Sequence, residues 1–113
     1  MAATLIKAAT ASITAAEVAA SVTGLPSPSH VAVQITGTFT ATITFEVTVD
    51  NTNWGSLELL PTTDISDTGL TATATAAGVF VSKVPLAVSG VRARVSLFTS
   101  NTSGVITVRT SSL

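Results

Sequence analysis

Few residues in this sequence can carry chemistry, and their surroundings limit what each could do. His30 is the only histidine and sits in "PSPSH", just before a run of alternating apolar residues. It has two readings, a general base or single ligand, and an exposed loop histidine. The second is the more economical, because no triad partner accompanies it and no serine occupies a GxSxG setting. The acids are Glu17, Glu46, Asp50, Glu58, Asp64 and Asp67. A pair of them held about 5 to 10 Å apart in a cleft would suit glycoside hydrolysis, but scattered acids meet that distance by chance. "DNTN" at 50–53 and "DISDTG" at 64–69 offer oxygen ligands at short spacing, a pattern closer to calcium than to zinc. Neither matches the EF-hand loop, and Asx turns account for both more simply. No catalytic residue, metal or cofactor is expected.

Two further groups have binding rather than catalytic potential. Trp54, the sole tryptophan, stands beside Asn51 and Asn53. Together they could form a glycan-stacking platform, or the indole could cover one end of a β-sandwich while its N–H finds a partner. Glycan sites usually use several aromatics, whereas aromatics here make up 4% of the chain and tyrosine is absent. Arg92 and Arg94 alternate with Val91, Ala93, Val95 and Leu97, and Arg109 lies on the polar face of the last extended run. They are either cross-strand partners of Glu46 or Glu58, or anchors of an interface, where arginine is enriched. The candidate interface is Arg92, Arg94 and Arg109 with Thr40, Thr42 and Thr44. Asn51, Asn53 and Trp54 belong only to the alternative glycan reading.

The elements that must position these residues are extended. From 31 to 50, apolar residues occupy the odd positions (Val31, Val33, Ile35, Phe39, Ala41, Ile43, Phe45, Val47, Val49), and the even positions are mostly threonine. Period-2 alternation marks half-buried strands. A single strand of this length would run about 65 Å at roughly 3.3 Å per residue, so the run must fold back, and Gly37 marks a tight turn at 37–40. Beyond "DNTN", the segments "WGSLELL", "LTATATAA", "VFVSKV", "VRARVSLF" and "VITVRT" are separated by Pro, Gly, Asn and Ser. With extended segments near 4–9 and 18–22, this predicts about eight short strands. "AAEVAA" has the alanines of a helical turn but is too short to stand alone. The fold class is all-β, an antiparallel β-sandwich of jelly-roll type. Residues 1–22 form an N-terminal extended segment, either an arm or an ordinary first strand, and residues 23–113 form the sandwich domain.

Composition narrows the role. At 113 residues, with a net charge of -1 and a pI near 5.6, the chain holds one modest core and has no basic footprint for nucleic acid. Cysteine is absent, which excludes disulfides and thiolate sites. The N-terminal "MAATLIKAATASITAAEVAA" lacks the apolar core of a signal peptide, and no run approaches the roughly 20 residues of a membrane span. Charged residues make up only 10% of the chain, against about 25% in an average domain, and mean hydropathy is +0.61. So weakly charged a surface protects poorly against association. The expectation is that other protein covers much of it.

Several segments together resemble small β-sandwich virion proteins of tailed bacteriophages. They are the Gly37-Thr38 turn, "TITFE" at 42–46, "DNTNW" at 50–54, "AGVF" at 77–80, "VRARVS" at 91–96 and the closing "GVITVR" at 104–109. The resemblance spans about the last three quarters of the chain. Its one departure is Asn51, where the pattern usually has glycine; both residues tolerate positive φ. The resemblance implies a structural role with no catalytic residues to carry over. The chain would be a capsid decoration (cement) protein that binds the outer surface of a phage head and stabilises the shell. Its partners would be the major capsid protein and copies of itself, with a trimer as the expected state, and neither nucleic acid nor membrane. Its location would be the virion surface, after synthesis in the host cytoplasm. The alternative is a glycan-binding sandwich module of a virion fibre or tail.

Overall fold

Threonine and valine dominate the segments between turns, and branching at Cβ suits them to a pleated sheet rather than a helix. The computed structural model describes residues 4–26, 28–63 and 69–112, which form strands, turns and loops with no α-helix. The strands are β1 (Thr4–Ser12), β2 (Ala19–Thr23), β3 (His30–Thr36), β4 (Phe39–Thr48), β5 (Gly55–Ser56), β6 (Leu60–Pro61), β7 (Thr73–Ala74), β8 (Gly78–Val81), β9 (Gly90–Asn101) and β10 (Val105–Ser112). They make two sheets, ordered β1-β10-β3-β8-β6 (the β10 sheet) and β2-β9-β4-β5 (the β9 sheet), with β7 also paired to β4.

The pairing is nested. β1 pairs with β10, β2 with β9, β3 with β8 and β4 with β7, all antiparallel. A chain paired in this way is one long hairpin rolled into two layers, the construction of a jelly roll. The expected all-β sandwich is therefore the observed fold.

The alternating run at 31–50 divides where expected, but it does not fold back on itself. β3 lies in one sheet and β4 in the other, so the turn between them crosses the sandwich. Gly37 makes the crossing possible. Its φ is +90°, and a Cβ there would stand 2.0 Å from the Ser103 carbonyl oxygen. The crossing is held by the Ser103 hydroxyl, which accepts from the Thr38 amide at 3.0 Å, and by Thr38 O, which accepts from the amides of Thr102 and Ser103 at 3.0 and 3.1 Å.

Alternate positions build the core from both sides, odd ones in β3, β4 and β9 and even ones in β10. Val31, Val33 and Ile35 of β3 and Ile43 and Phe45 of β4 are buried, with Val91, Ala93 and Val95 of β9 and Ile106 and Val108 of β10. Phe45 and Phe80 meet between the sheets with ring centroids 5.1 Å apart, tilted at 50°. Val49 departs from the pattern. It lies past the end of β4 and is 75% exposed.

The N-terminal segment is part of the sandwich. β1 and β2 are the outermost strands of their sheets, and the boundary drawn between residues 22 and 23 falls inside β2. The edge at β1 is interrupted by a register shift between Leu5 and Lys7, and Lys7 Nζ donates to Thr23 O at 2.6 Å. A bulge and a lysine are common protections for an exposed edge. "AAEVAA" forms no helical turn. It is a bend with Glu17 at φ +72°, and the Glu17 amide donates to Val95 O at 2.7 Å.

Candidate functional site

Residues directly opposite in an antiparallel pair share a face, so register assigns each candidate side chain to one side of the sandwich. On the β9 sheet, Glu46 is opposite Arg92 and Thr44 is opposite Arg94, and all four point outward. Glu46 Oε1 accepts from Arg92 Nε at 2.7 Å and from Arg94 Nε at 3.0 Å. Its Oε2 accepts from Arg94 at 3.4 Å, and Arg94 Nη1 reaches Glu17 at 3.0 Å. Arg92 and Arg94 are thus cross-strand partners of Glu46, and Glu58 takes no part. The Glu46 side chain is only 12% exposed. Burial alone would raise its pKa, but the hydrogen bonds from Arg94 and Arg92 outweigh burial and hold it below the ordinary glutamate value. In turn, the bond to Glu46 raises Arg94 further.

Trp54 belongs to this cluster. The β4-β5 hairpin pairs Val47 with Gly55, so Trp54, one residue earlier, takes the outward parity of Thr48 and Glu46. It is half-buried, and the Arg92 guanidinium lies 4.3 Å from its ring centroid. The indole therefore packs on the outer face and does not close an end of the core, as the sequence had suggested. Parity explains the difference, since an inward position would need a one-residue shift of the hairpin.

The tip beside it is an Asx turn. Asp50 Oδ1 accepts from the amides of Thr52 and Asn53 at 2.8 and 2.7 Å and from the Thr48 hydroxyl at 3.0 Å. Its Oδ2 accepts from Asn53 Nδ2 at 2.8 Å. These bonds, the Asn53 amide foremost, hold the Asp50 carboxyl far below the usual carboxylate range. Donors thus engage both carboxylate oxygens, the arrangement of the Asx turn by which the sequence reading accounted for "DNTN". Asn51 adopts φ +62°, so it fills the glycine position of the resembled pattern as expected, and its Oδ1 accepts from Ser89 at 3.0 Å. The amides of Asn51 and Asn53 are thus engaged in holding the tip. The "DISDTG" acids Asp64 and Asp67 lie outside the described residues.

Further along the same face, β9 bulges. Ile43 is opposite Val95 but Thr42 is opposite Leu97, with Ser96 accommodated between them. Ser96 Oγ bridges the irregularity, donating to Thr42 O at 3.2 Å and accepting from Thr44 Oγ1 at 2.8 Å. The extra residue turns Leu97 outward, where it is 67% exposed. Simple alternation had placed it with Val95 in the core. Leu97, Thr40, Thr42, Thr75 and Thr99 surround a shallow depression of about 330 Å³. Of the candidate threonines, Thr40 is exposed, while Thr42 and Thr44 are half-buried.

Arg109 is on the other side. It points outward from the β10 sheet with Ala8 opposite on β1 and Ala32 opposite on β3. The six interface candidates therefore occupy two faces, five on the β9 sheet and Arg109 alone on the β10 sheet. His30 also faces outward on the β10 sheet, opposite Ser111, and with Arg109, Ser82 and Ser111 it lines a depression of about 450 Å³. Sequence reasoning treated His30 and Arg109 separately. Their neighbourhood follows from the β3-β10 register, which no local pattern encodes. Among the described residues, no group of three or more His, Cys, Asp or Glu could hold a metal ion.

No protein-family model matches the chain, and no curated protein matches it in sequence. Among solved structures, the fold is similar to that of the SPBc2 prophage-derived protein YomS, with a TM-score of 0.67 and 12% identity over 94% of each chain.

Proposed function

We propose that this chain is a structural virion protein of a tailed phage, a capsid decoration protein that binds the outside of the head and reinforces the shell. The observation that carries this reading is the outer face of the β10 sheet. Its outward positions, among them Ala8, Thr10, Ala32, Gln34, Val79 and Thr107, are small or uncharged, and Arg109 supplies a single charge in their midst. Such a face suits close contact with another protein. The fold shared with a prophage-derived protein supports the same setting, as does the resemblance of the strand and tip motifs to phage virion sandwiches.

In this role the chain is not an enzyme. It acts as a homo-oligomer, a trimer, seated where capsid subunits meet, with the major capsid protein as partner. Each added contact must be broken before the pressurised shell can open. A modest gain per copy suffices because it repeats over the shell, although most of the gross burial energy is lost to ordering on association.

The test is co-sedimentation of the purified chain with empty heads of the phage that encodes it, followed by heating the complexes. Saturable binding and a raised temperature of shell rupture are expected. Absence of binding to heads, with the chain folded, would overturn the reading.

A further inference from the structure

Among the described residues, the depression on the β10 sheet is lined by the hydrogen-bond donors His30, Ser82, Arg109 and Ser111 and by no acid. Arg109 has alanine at both cross-strand positions, and its guanidinium makes no ion pair or hydrogen bond among the described residues. His30 occupies the diagonal position on β3, opposite Ser111. Ser82 Oγ accepts from the Val31 amide at 3.0 Å, which leaves its O–H free to donate. Ala32 and Val81 complete the wall. A guanidinium offers five N–H donors in a planar fork that matches a carboxylate, and here the whole fork is uncommitted.

We propose that this depression receives the carboxylate of a glutamate or aspartate projecting from a partner protein. Arg109 grips it at two points, and the Ser82 hydroxyl and the His30 ring stand beside it as further donors. Charge complementarity selects the acid, because Arg109 has no counter-ion among the described residues of this face. The surroundings select a protein over a sugar. Ala32, Val79 and Val81 offer small aliphatic contacts, and among the described residues no phenylalanine or tryptophan faces outward from this sheet to stack on a pyranose. The proposal rests on the reading of the chain as a shell-binding protein. It names what the shell must present, an acidic side chain set among small apolar ones.

Two measurements on the full chain test it separately from that reading. In the first, the Nε–H signal of Arg109 and the ring signals of His30 are followed by NMR during titration with N-acetyl-glutamate methylamide, its glutamine counterpart and inorganic phosphate. Saturable shifts with the glutamate compound and none with the glutamine compound are expected. No shift with glutamate, or shifts with phosphate alone, would overturn the carboxylate assignment whether or not the chain binds heads.

In the second, Arg109→Glu and Arg109→Lys are compared with the native chain in head binding. At least a tenfold loss is expected for Arg109→Glu and a smaller loss for Arg109→Lys, with thermal unfolding unchanged in both. Undiminished head binding by Arg109→Glu would overturn the proposal while leaving the decoration role standing. A change in sedimentation of the isolated Arg109→Glu chain would assign the pocket to a second copy and overturn it likewise.

Discussion

On the β9 sheet, Glu46 lies directly opposite Arg92 and diagonal to Arg94, with Glu17 closing the cluster and Trp54 beneath Arg92. On the β10 sheet, Arg109 falls between Ala8 and Ala32. The three arginines are alike in chemistry and in lying at outward positions of long strands. What separates them is whether cross-strand pairing brings a carboxylate to an opposite or diagonal position. Glu17, Glu46, Arg92 and Arg94 sum to zero charge and satisfy one another, so that face spends its charge internally and holds the β4-β5 hairpin to β9. The β10 face keeps one charge unspent. Whether an arginine finds a counter-ion within the chain is decided here by register.

Among the outward-facing side chains, removing the shared carboxylate should have the largest effect. Glu46→Gln leaves two half-buried guanidinium groups side by side with only the exposed Glu17 nearby. Losing hydrogen bonds to charged groups of this kind costs about 1 to 3 kcal/mol, read as a lower midpoint in urea at pH 7. Arg109→Gln should change stability by less than about 0.5 kcal/mol, as surface substitutions without partners do. Equal losses in the two variants would break the comparison.

The same contrast shows what the sequence could and could not reveal. Alternation at 31–50 was enough to identify strands, one buried face and a break at Gly37, because burial on a pleated sheet imposes a period of two. It could not show that β3 and β4 belong to different sheets, since the crossing depends on Gly37 meeting the Ser103 carbonyl from a distant turn. The pairing of Arg92 and Arg94 with Glu46 was one of two readings open at the sequence level. The isolation of Arg109 was not visible at all, because Ala8 and Ala32 become its neighbours only when the first and third strands flank the last. Trp54 and Leu97 were misplaced for related reasons. A hairpin register fixed the parity of one, and a one-residue bulge reversed that of the other.

Acid should erode the β9 side selectively. Glu46 and Asp50 both titrate below their ordinary values of 4.5 and 3.8 in the folded chain, so each favours folding when ionised. Their contributions are complete above the unfolded values and are lost as pH falls through the folded ones. Stability measured by urea unfolding should therefore decline below about pH 4.5. The gap between the native chain and Glu46→Gln should narrow as it does. A gap that stays constant from pH 7 to pH 3 would mean that Glu46 is not stabilised as its bonds imply.

Trp54→Leu should cost about 0.5 to 1 kcal/mol, the range for a cation–π contact at a partly exposed site. The native indole should also be quenched by acrylamide more readily than a core tryptophan. A fully protected, blue-shifted emission would return Trp54 to the interior and remove it from the cluster.

The smallest effect is expected at Leu97, and it tests the bulge that bounds the ion-paired face. Val95 and Leu97 are two residues apart, so unbroken alternation would bury both. Val95 is fully buried, whereas Leu97 is 67% exposed. Val95→Thr places a hydroxyl in an apolar core and should cost about 1 to 3 kcal/mol. Leu97→Thr extends an existing threonine surface beside Thr40 and Thr42 and should shift stability by less than about 0.5 kcal/mol. If Ser96 holds the bulge by donating to Thr42 O, then Ser96→Ala should lower stability modestly and raise exchange at the amides flanking it. A costly Leu97→Thr would mean that β9 runs without the extra residue and that Leu97 packs inward with Val95.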